Sequence, residues 1–106
     1  MSNSFKDREK GFENQFAHDL ELQFRANARR NRLLGHWAAQ LLGKTGEDEV
    51  RYALDVVRED FKEAGHDDVV RKLQADLAGL ADEATIRAKM AEYLDAAKSQ
   101  LMNEAK

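Results

Sequence analysis

The chain has 106 residues, enough for one domain with a modest core, and it contains no cysteine and no proline. The lack of cysteine excludes disulfides and thiolate metal sites, while plentiful alanine, leucine, glutamate, lysine and arginine predict an all-α protein. The net charge of −3 combines 8 basic and 5 acidic side chains in residues 1–44 with 9 basic and 15 acidic ones in residues 45–106. This acidity argues against general nucleic-acid binding. No signal peptide or membrane-spanning apolar run is visible, so we expect a cytoplasmic protein.

The first predicted element is an amphipathic helix from about Phe5 to Leu42. At a period of 3.6 residues per turn, its large apolar residues form one stripe along the helix. The residues of the front half share one side, and those of the rear half lie near the same side. They are Phe5, Phe12, Phe16, Leu20 and Phe24 in front, and Leu34, Trp37, Leu41 and Leu42 behind. Unbroken, this helix would be on the order of 55 Å long, against about 20 to 30 Å for each later pattern. Its front therefore extends past anything the chain can pack against it.

The apolar stripe is interrupted where Asn27, Arg30 and Asn31 occupy positions that should be apolar. We expect these polar residues to bond to backbone or to acids across the bundle. The rear half is ordinary core, whereas the front half is predicted to be a mobile segment spanning residues 1–17. Gly11 weakens it as a helix by roughly 1 kcal/mol relative to alanine. The alternative is that its phenylalanines fold back as extra core.

Three shorter helices are predicted in residues 43–106. Gly43 ends the first helix, and Thr45 with Asp48 resembles a capping box that starts the second near Gly46. The apolar positions of the second helix, which ends at Gly65, are Val50, Leu54, Val57 and Phe61. Those of the third, which opens at His66 or Asp67, are Val69, Val70, Leu73, Leu77 and Leu80. Those of the fourth, capped by Asp82, are Ile86, Met90, Tyr93, Leu94, Ala97 and Leu101.

Short turns between these elements predict a small four-helix bundle over residues 18–106, preceded by the mobile N-terminal segment.

No catalytic or metal-binding constellation is visible, so we expect neither an enzyme nor a required cofactor. Gly43-Lys44-Thr45 lacks the upstream glycine of a phosphate-binding loop and is better interpreted as a helix stop followed by a helix cap. The three histidines have no histidine partner at helical spacing. Four cations could contact phosphate or nucleic acid, but a solvated or internally paired face is the better interpretation, because the acidic later helices must pack against this one. These cations are Arg25, Arg29, Arg30 and Arg32.

The front segment has the pattern of a helix that binds in a groove of another protein. Its anchors Phe5, Phe12 and Phe16 are seven and four residues apart, and lysines, arginine and acids alternate between them. A helix that lies on a lipid surface would need a more consistently cationic polar face. The pattern therefore favours a protein partner over a membrane.

Several longer stretches of the chain resemble a known family. They are Phe5-x-Asp-Arg-Glu, Phe16-Ala17-His18-Asp19, Ala28-Arg29-Arg30-Asn31-Arg32-Leu33-Leu34-Gly35, Trp37-Ala38-Ala39, Leu41-Leu42-Gly43, Arg71-Lys72-Leu73, Asp76-Leu77 and Thr85-Ile86-Arg87-Ala88-Lys89-Met90. Together they resemble the zeta subunit, the small ATPase inhibitor of certain bacterial F-type ATP synthases. The resemblance covers almost the whole chain.

The resemblance implies a non-catalytic inhibitor whose mobile N-terminal segment folds as a helix into the catalytic head, between catalytic and non-catalytic subunits and near the rotor. The alpha, beta and gamma subunits would be its partners, and the helix would block rotation in the direction of ATP hydrolysis. The protein would be cytoplasmic and peripheral on the inner membrane through the synthase, without membrane insertion of its own. Carried over by position, the partner-binding residues are Phe5, Lys6, Asp7, Arg8, Glu9, Lys10, Phe12, Glu13, Phe16, Ala17, His18 and Asp19.

Some members of that family are thought to bind adenine nucleotide. An adenine-nucleotide-sensing helical module, acting through the arginines between Arg25 and Arg32, is therefore the alternative function.

Overall fold

A computed structural model describes residues 4–62 and 65–104, and their side chains from residue 7 onward. Within these residues the chain forms five helices and no strand, so the all-α prediction is confirmed. The helices are α1 (Ser4–His18), α2 (Leu20–Leu41), α3 (Gly46–Glu59), α4 (Asp67–Asp76) and α5 (Glu83–Glu104). The predicted count of four helices is wrong, because the long first helix is divided into α1 and α2.

The division between α1 and α2 lies at Asp19. This residue is extended (φ −112°, ψ 105°), and its carboxylate accepts a hydrogen bond of 3.1 Å from the backbone N–H of Leu22. Asp19 is thus an N-cap, the role for which a short side-chain acceptor is favoured because it satisfies an N–H that the helix leaves unbonded. A capping residue inside the apolar stripe is what turns one predicted helix into two.

Helices α2 to α5 enclose the main core, with α2 packed on both α3 and α5. The buried members of this core are Leu34, Ala38, Ala39, Tyr52, Val56, Val69, Val70, Leu73, Leu77, Ile86 and Met90. Gly35 allows α2 and α3 to approach closely, since a Cβ on it would lie 2.6 Å from the Cα of Ala53. This contact, together with burial of Ala53 and Val56, determines which side of α3 faces α2.

The side of α3 that is buried differs from the apolar stripe predicted for the second helix. Tyr52, Ala53 and Val56 are its buried residues, whereas Val50, Leu54 and Phe61 are exposed. Leu80, predicted on the third helix, is also exposed and lies beyond the end of α4. Helix α3 therefore has two apolar sides, of which only one is used in the described fold.

The predicted helix ends are confirmed only in part, since α3 ends at Glu59, before the predicted end at Gly65. Gly43 adopts φ +78°, and the N–H groups of Gly43 and Lys44 donate to the carbonyls of Gln40 and Ala39, which is the Schellman pattern. The carboxylate of Asp82 accepts from the N–H of Thr85 at 2.8 Å, as the predicted cap of the last helix requires. Thr45 occupies the N-cap of α3 but makes no side-chain capping bond, so the predicted capping box is wrong.

The polar interruption of the stripe forms a buried network between α2 and the segment that joins α3 to α4. Asn31 Nδ2 donates to Asp60 Oδ2 at 2.9 Å, and Arg30 lies 3.6 Å from the same oxygen. His66 Nδ1 is 2.9 Å from both Arg30 and Asp60. Burial lowers the pKa of Arg30, and the negative charge of Asp60 partly offsets this effect. The expectation that Arg30 and Asn31 bond to an acid across the bundle is confirmed.

Candidate functional site: the N-terminal helix and its docking cluster

Helix α1 is connected to the bundle by a joint with defined hydrogen bonds. On one side of the joint, Asp19 caps the start of α2. On the other, the side chain of Gln23 donates to the carbonyls of Phe16 and Ala17 at 2.8 and 3.2 Å, which satisfies acceptors at the end of α1. Both side chains belong to α2 or its cap, so the joint uses side chains of α2 and only backbone carbonyls of α1.

The apolar side of α1 packs on a small cluster that is separate from the main core. Phe12 is only 9% exposed and contacts Ala26 of α2 and Leu101 of α5, while Phe16 is half-buried at its edge. The two phenylalanine rings lie 6.5 Å apart between centroids. We call this set the docking cluster; its members are Phe12, Phe16, Leu22, Ala26, Leu94, Leu101 and Met102. In the structure, then, Phe12 and Phe16 add to the buried surface, as the fold-back alternative describes.

Lys98 of α5 contacts α1 in two ways. Its Nζ lies 4.4 Å from the ring centroid of Phe16, within the range of a cation–π interaction, and 3.5 Å from the carboxylate of Glu13. The side chain of Lys98 is largely covered, whereas that of Glu13 is half exposed. One lysine therefore holds both an aromatic anchor and an acid of α1 against α5.

The other partner-binding residues predicted on α1 lie mostly on its outer side. Asp7, Arg8, Glu9 and Lys10 are exposed, as are Ala17 and His18. Phe5 and Lys6 belong to the backbone of α1, but their side chains lie outside the described part of the structure. Asp7, Arg8, Glu9 and Lys10 are thus available to a partner while Phe12 is covered.

The arginines proposed for nucleotide contact are divided between surface and interior. Arg30 is buried in the network with Asp60, away from the surface that holds Arg25, Arg29 and Arg32. Arg25 pairs with Glu21 at 2.8 Å. Arg29 makes a bidentate ion pair with Glu104, in which both Nη atoms donate to the carboxylate. The bond from Nη2 to Oε1 is 2.9 Å long.

The pairing of Arg29 with Glu104 is charge-assisted. Its hydrogen bonds raise the pKa of Arg29 and lower the pKa of Glu104. Two of the three surface arginines therefore already hold a carboxylate of the chain itself.

Two negative findings apply to the described residues. They contain no group of three or more histidine, aspartate or glutamate side chains arranged to hold a metal ion. None of their helices is both long enough and apolar enough to cross a membrane.

The sequence marked Phe12 and Phe16 as apolar residues of this segment, but it did not indicate which residues hold α1 against the bundle. Nothing in the sequence indicates that Gln23 and Lys98 contact α1, because glutamine and lysine are common residues within any polar helix. Asp19 was singled out by resemblance, and its capping role could have been suspected from the preference of aspartate for the N-cap.

The fold and the site define an all-helical bundle that carries a jointed amphipathic N-terminal helix. The family of ATPase inhibitor subunit zeta matches residues 1–100, and the chain belongs to that family. Membership supports an inhibitory role and an interaction with ATP synthase.

A solved structure agrees with this fold. A protein whose structure was determined by solution NMR is 52% identical in sequence, with a TM-score of 0.73. The match covers 78% of this chain and 98% of that one. Among curated protein sequences, none matches this chain.

Proposed function

We propose that the protein is a non-catalytic inhibitor of an F-type ATP synthase and that residues 1–17, most of which form α1, are its mobile inhibitory segment. In this proposal the segment leaves the bundle and binds as a helix in the catalytic head, between catalytic and non-catalytic subunits and near the rotor. The contacts would involve the alpha, beta and gamma subunits. A helix lodged there blocks rotation in the direction of ATP hydrolysis and affects synthesis much less.

The observation that carries the proposal is the separation of the docking cluster from the main core. No residue of α1 belongs to the main core, within the residues described. The docking cluster involves α1, α2 and α5 but leaves the packing of α2 on α3 untouched. Release of α1 would therefore expose a few side chains while the bundle keeps its core.

The chemistry of α1 suits binding in a protein groove. Phe12 and Phe16 are one helical turn apart on one side, with exposed charges of both signs around the rest of the helix. Aromatic anchors supply most of the binding energy in such contacts, and the surrounding charges mainly determine register and orientation. In this proposal the same phenylalanines bind either the bundle or the partner, so the two contacts compete.

The proposal is tested by measuring inhibition of ATP hydrolysis by the cognate catalytic head. Deletion of residues 1–17 should abolish inhibition. Phe16→Ala should weaken it by about tenfold, because an aromatic hot spot is worth about 2 kcal/mol or more in a partner's groove, whereas the half-buried Phe16 contributes less to docking on the bundle. ATP synthesis by the intact enzyme is measured in parallel and should change much less. Leu80→Ala, which truncates an exposed leucine between α4 and α5, is the matched control.

Circular dichroism establishes that each variant keeps its helical fold. Full inhibition by the folded deletion variant would refute the assignment of the segment. Equal inhibition of hydrolysis and synthesis would refute the one-way mechanism while leaving the binding segment in place.

The alternative function, an adenine-nucleotide-sensing module, rests on the groove that Phe24, Arg25, Arg29 and Arg32 line. An aromatic ring beside cations suits a nucleotide, but Arg25 and Arg29 are already paired with acids. An NMR titration with ATP separates the two functions. Localised, saturable shifts at these residues would support the nucleotide site, and unchanged spectra at millimolar ATP would dismiss it.

A further inference from the structure

Met102 is the sulfur-containing member of the docking cluster and lies at its open edge. It packs against the buried side chains of Phe12, Ala26 and Leu101 and is itself partly exposed. It also lines a depression between α1 and α5, together with Phe12 and with polar side chains of both helices. A small solute can therefore reach the side chain of Met102 while α1 is docked.

Sulfur chemistry in this protein is confined to methionine. The chain has no cysteine and three methionines, which are Met1, Met90 and Met102. Met90 is 8% exposed and lies within the main core, and Met1 lies outside the described residues. Because susceptibility to oxidation follows exposure of the sulfur, Met102 is the methionine of the bundle that an oxidant reaches first.

A sulfoxide oxygen at Met102 is incompatible with the apolar contact that the thioether makes. The oxygen is a hydrogen-bond acceptor, and burial of a polar group without a partner is unfavourable. Three of the polar side chains that line the depression are those of Glu9, Glu13 and Asp95. Ionised carboxylates only accept hydrogen bonds, so none of these three can serve as the donor.

The donors that do line the depression both weaken the contact between α1 and α5 when a sulfoxide uses them. They are Lys98 and Ser99. Lys98 contacts Phe16 and Glu13, so a bond from its ammonium to the sulfoxide would compete with those two contacts. Ser99 is exposed on α5, and a bond from its hydroxyl or from water turns the Met102 side chain out of the docking cluster. Each route removes part of what holds α1.

We propose that Met102 is an oxidation site at which a peroxide releases α1 from the bundle. With hydrogen peroxide, the thioether sulfur attacks one oxygen, so an S–O bond forms as the O–O bond breaks. The sulfur is oxidised by two electrons to the sulfoxide, and the other oxygen leaves as water after it takes up the proton of the transferred oxygen. The effect of this step on the synthase rests on the proposed function, in which release of α1 precedes inhibition.

The modification is tested on the free full-length protein, in the absence of the synthase. After treatment with hydrogen peroxide, mass spectrometry of proteolytic fragments should find Met102 oxidised before Met90. Amide hydrogen exchange should then accelerate in α1 by about fivefold or more and stay unchanged in α4, which belongs to the main core. Treatment with methionine sulfoxide reductase should restore the original exchange.

Met102→Leu is the variant that assigns the effect to one residue. Leucine keeps a similar volume in the docking cluster and has no sulfur, so exchange in α1 should not respond to peroxide. Met90→Leu is the matched control and should respond as the wild type does. Unchanged exchange in α1 of wild-type protein with fully oxidised Met102 would overturn the inference, and so would oxidation of Met90 ahead of Met102.

Inhibition of ATP hydrolysis separates this inference from the proposed function. Oxidised wild-type protein should inhibit at a concentration up to about fivefold lower, because more α1 is released, and Met102→Leu should not change. If oxidation leaves exchange in α1 unchanged while deletion of residues 1–17 abolishes inhibition, the oxidation site fails and the proposed function stands. If oxidation accelerates exchange in α1 but the deletion variant inhibits fully, the oxidation site stands and the proposed function fails.

Discussion

Tyr52 and Asp76 connect α3 to the end of α4 through a hydrogen bond whose acceptor is the ionised carboxylate of Asp76. The Tyr52 hydroxyl donates to Asp76 Oδ2 at 2.7 Å, and Lys72 donates to the same oxygen at 3.0 Å. Burial raises the pKa of Tyr52, and the Asp76 carboxylate raises it further. For Asp76, burial acts to raise the pKa, but the bonds from Tyr52 and Lys72 outweigh it and lower the pKa. The ionised form of Asp76 is therefore the one that the fold stabilises.

This pair predicts how stability changes with pH. Because the pKa of Asp76 is lower folded than unfolded, its contribution is complete above the unfolded value of about 3.9 and is lost as the pH falls through the folded value. The free energy of unfolding should thus decline below about pH 4. Asp76→Asn, which keeps an acceptor but cannot titrate, should reduce that slope in urea unfolding measured from pH 3 to pH 7. An unchanged slope would show that Asp76 does not couple folding to protons.

At the scale of elements, α1 is held by contacts whose strength can be altered without removing its anchors. Lys98 approaches both Phe16 and Glu13. Cation–π and ion-pair contacts that keep one partner half exposed, as Glu13 is, are each worth about 1 kcal/mol or less, so the lysine contributes on the order of 1 kcal/mol to docking. Such a contact is strong enough to bias α1 toward the bundle and weak enough to be displaced.

We therefore predict that Lys98→Met strengthens inhibition. Loss of about 1 kcal/mol of docking raises the released fraction of α1, and the inhibitory concentration should fall by up to about fivefold. Lys89→Met is the matched control, because Lys89 is also a lysine of α5 beside aromatic rings, those of Trp37 and Tyr93, which belong to α2 and α5. Amide hydrogen exchange should accelerate in α1 only in the Lys98 variant. Weaker inhibition by Lys98→Met would mean that the docked helix is the inhibitory form.

Helix α3 shows how far periodicity predicts this fold. Spacing and turn residues correctly placed the later helices and their starts near Gly46, Asp67 and Asp82. They could not decide which apolar side of α3 is buried, because that depends on Gly35 meeting Ala53 across the bundle. For the site, periodicity placed Phe12 and Phe16 on one apolar side of α1, and in the structure that side packs on the bundle. Lys98, which contacts Phe16, lies on a helix over eighty residues away in sequence, and no local pattern encodes that contact.

At the scale of the whole molecule, the two apolar clusters give the protein two levels of stability. Leu34 lies within the main core, where truncation leaves a cavity that the packed helices cannot close. Phe12 belongs to α1, a helix that can detach from the bundle. Truncation of a buried leucine or phenylalanine usually costs about 2 to 5 kcal/mol. Where a segment can open locally, the cost is limited to the free energy that held it closed.

This limit predicts different outcomes for two truncations in the same protein. Leu34→Ala should lower the free energy of unfolding by about 2 to 5 kcal/mol. Phe12→Ala should lower it by less than about 2 kcal/mol, because α1 leaves and the main core remains intact. Denaturant unfolding followed by circular dichroism measures both, and amide exchange should become fast throughout α1 in the Phe12 variant alone. If Phe12→Ala costs as much as Leu34→Ala, α1 unfolds only together with the bundle, and an inhibitory helix that detaches from a folded protein would be ruled out.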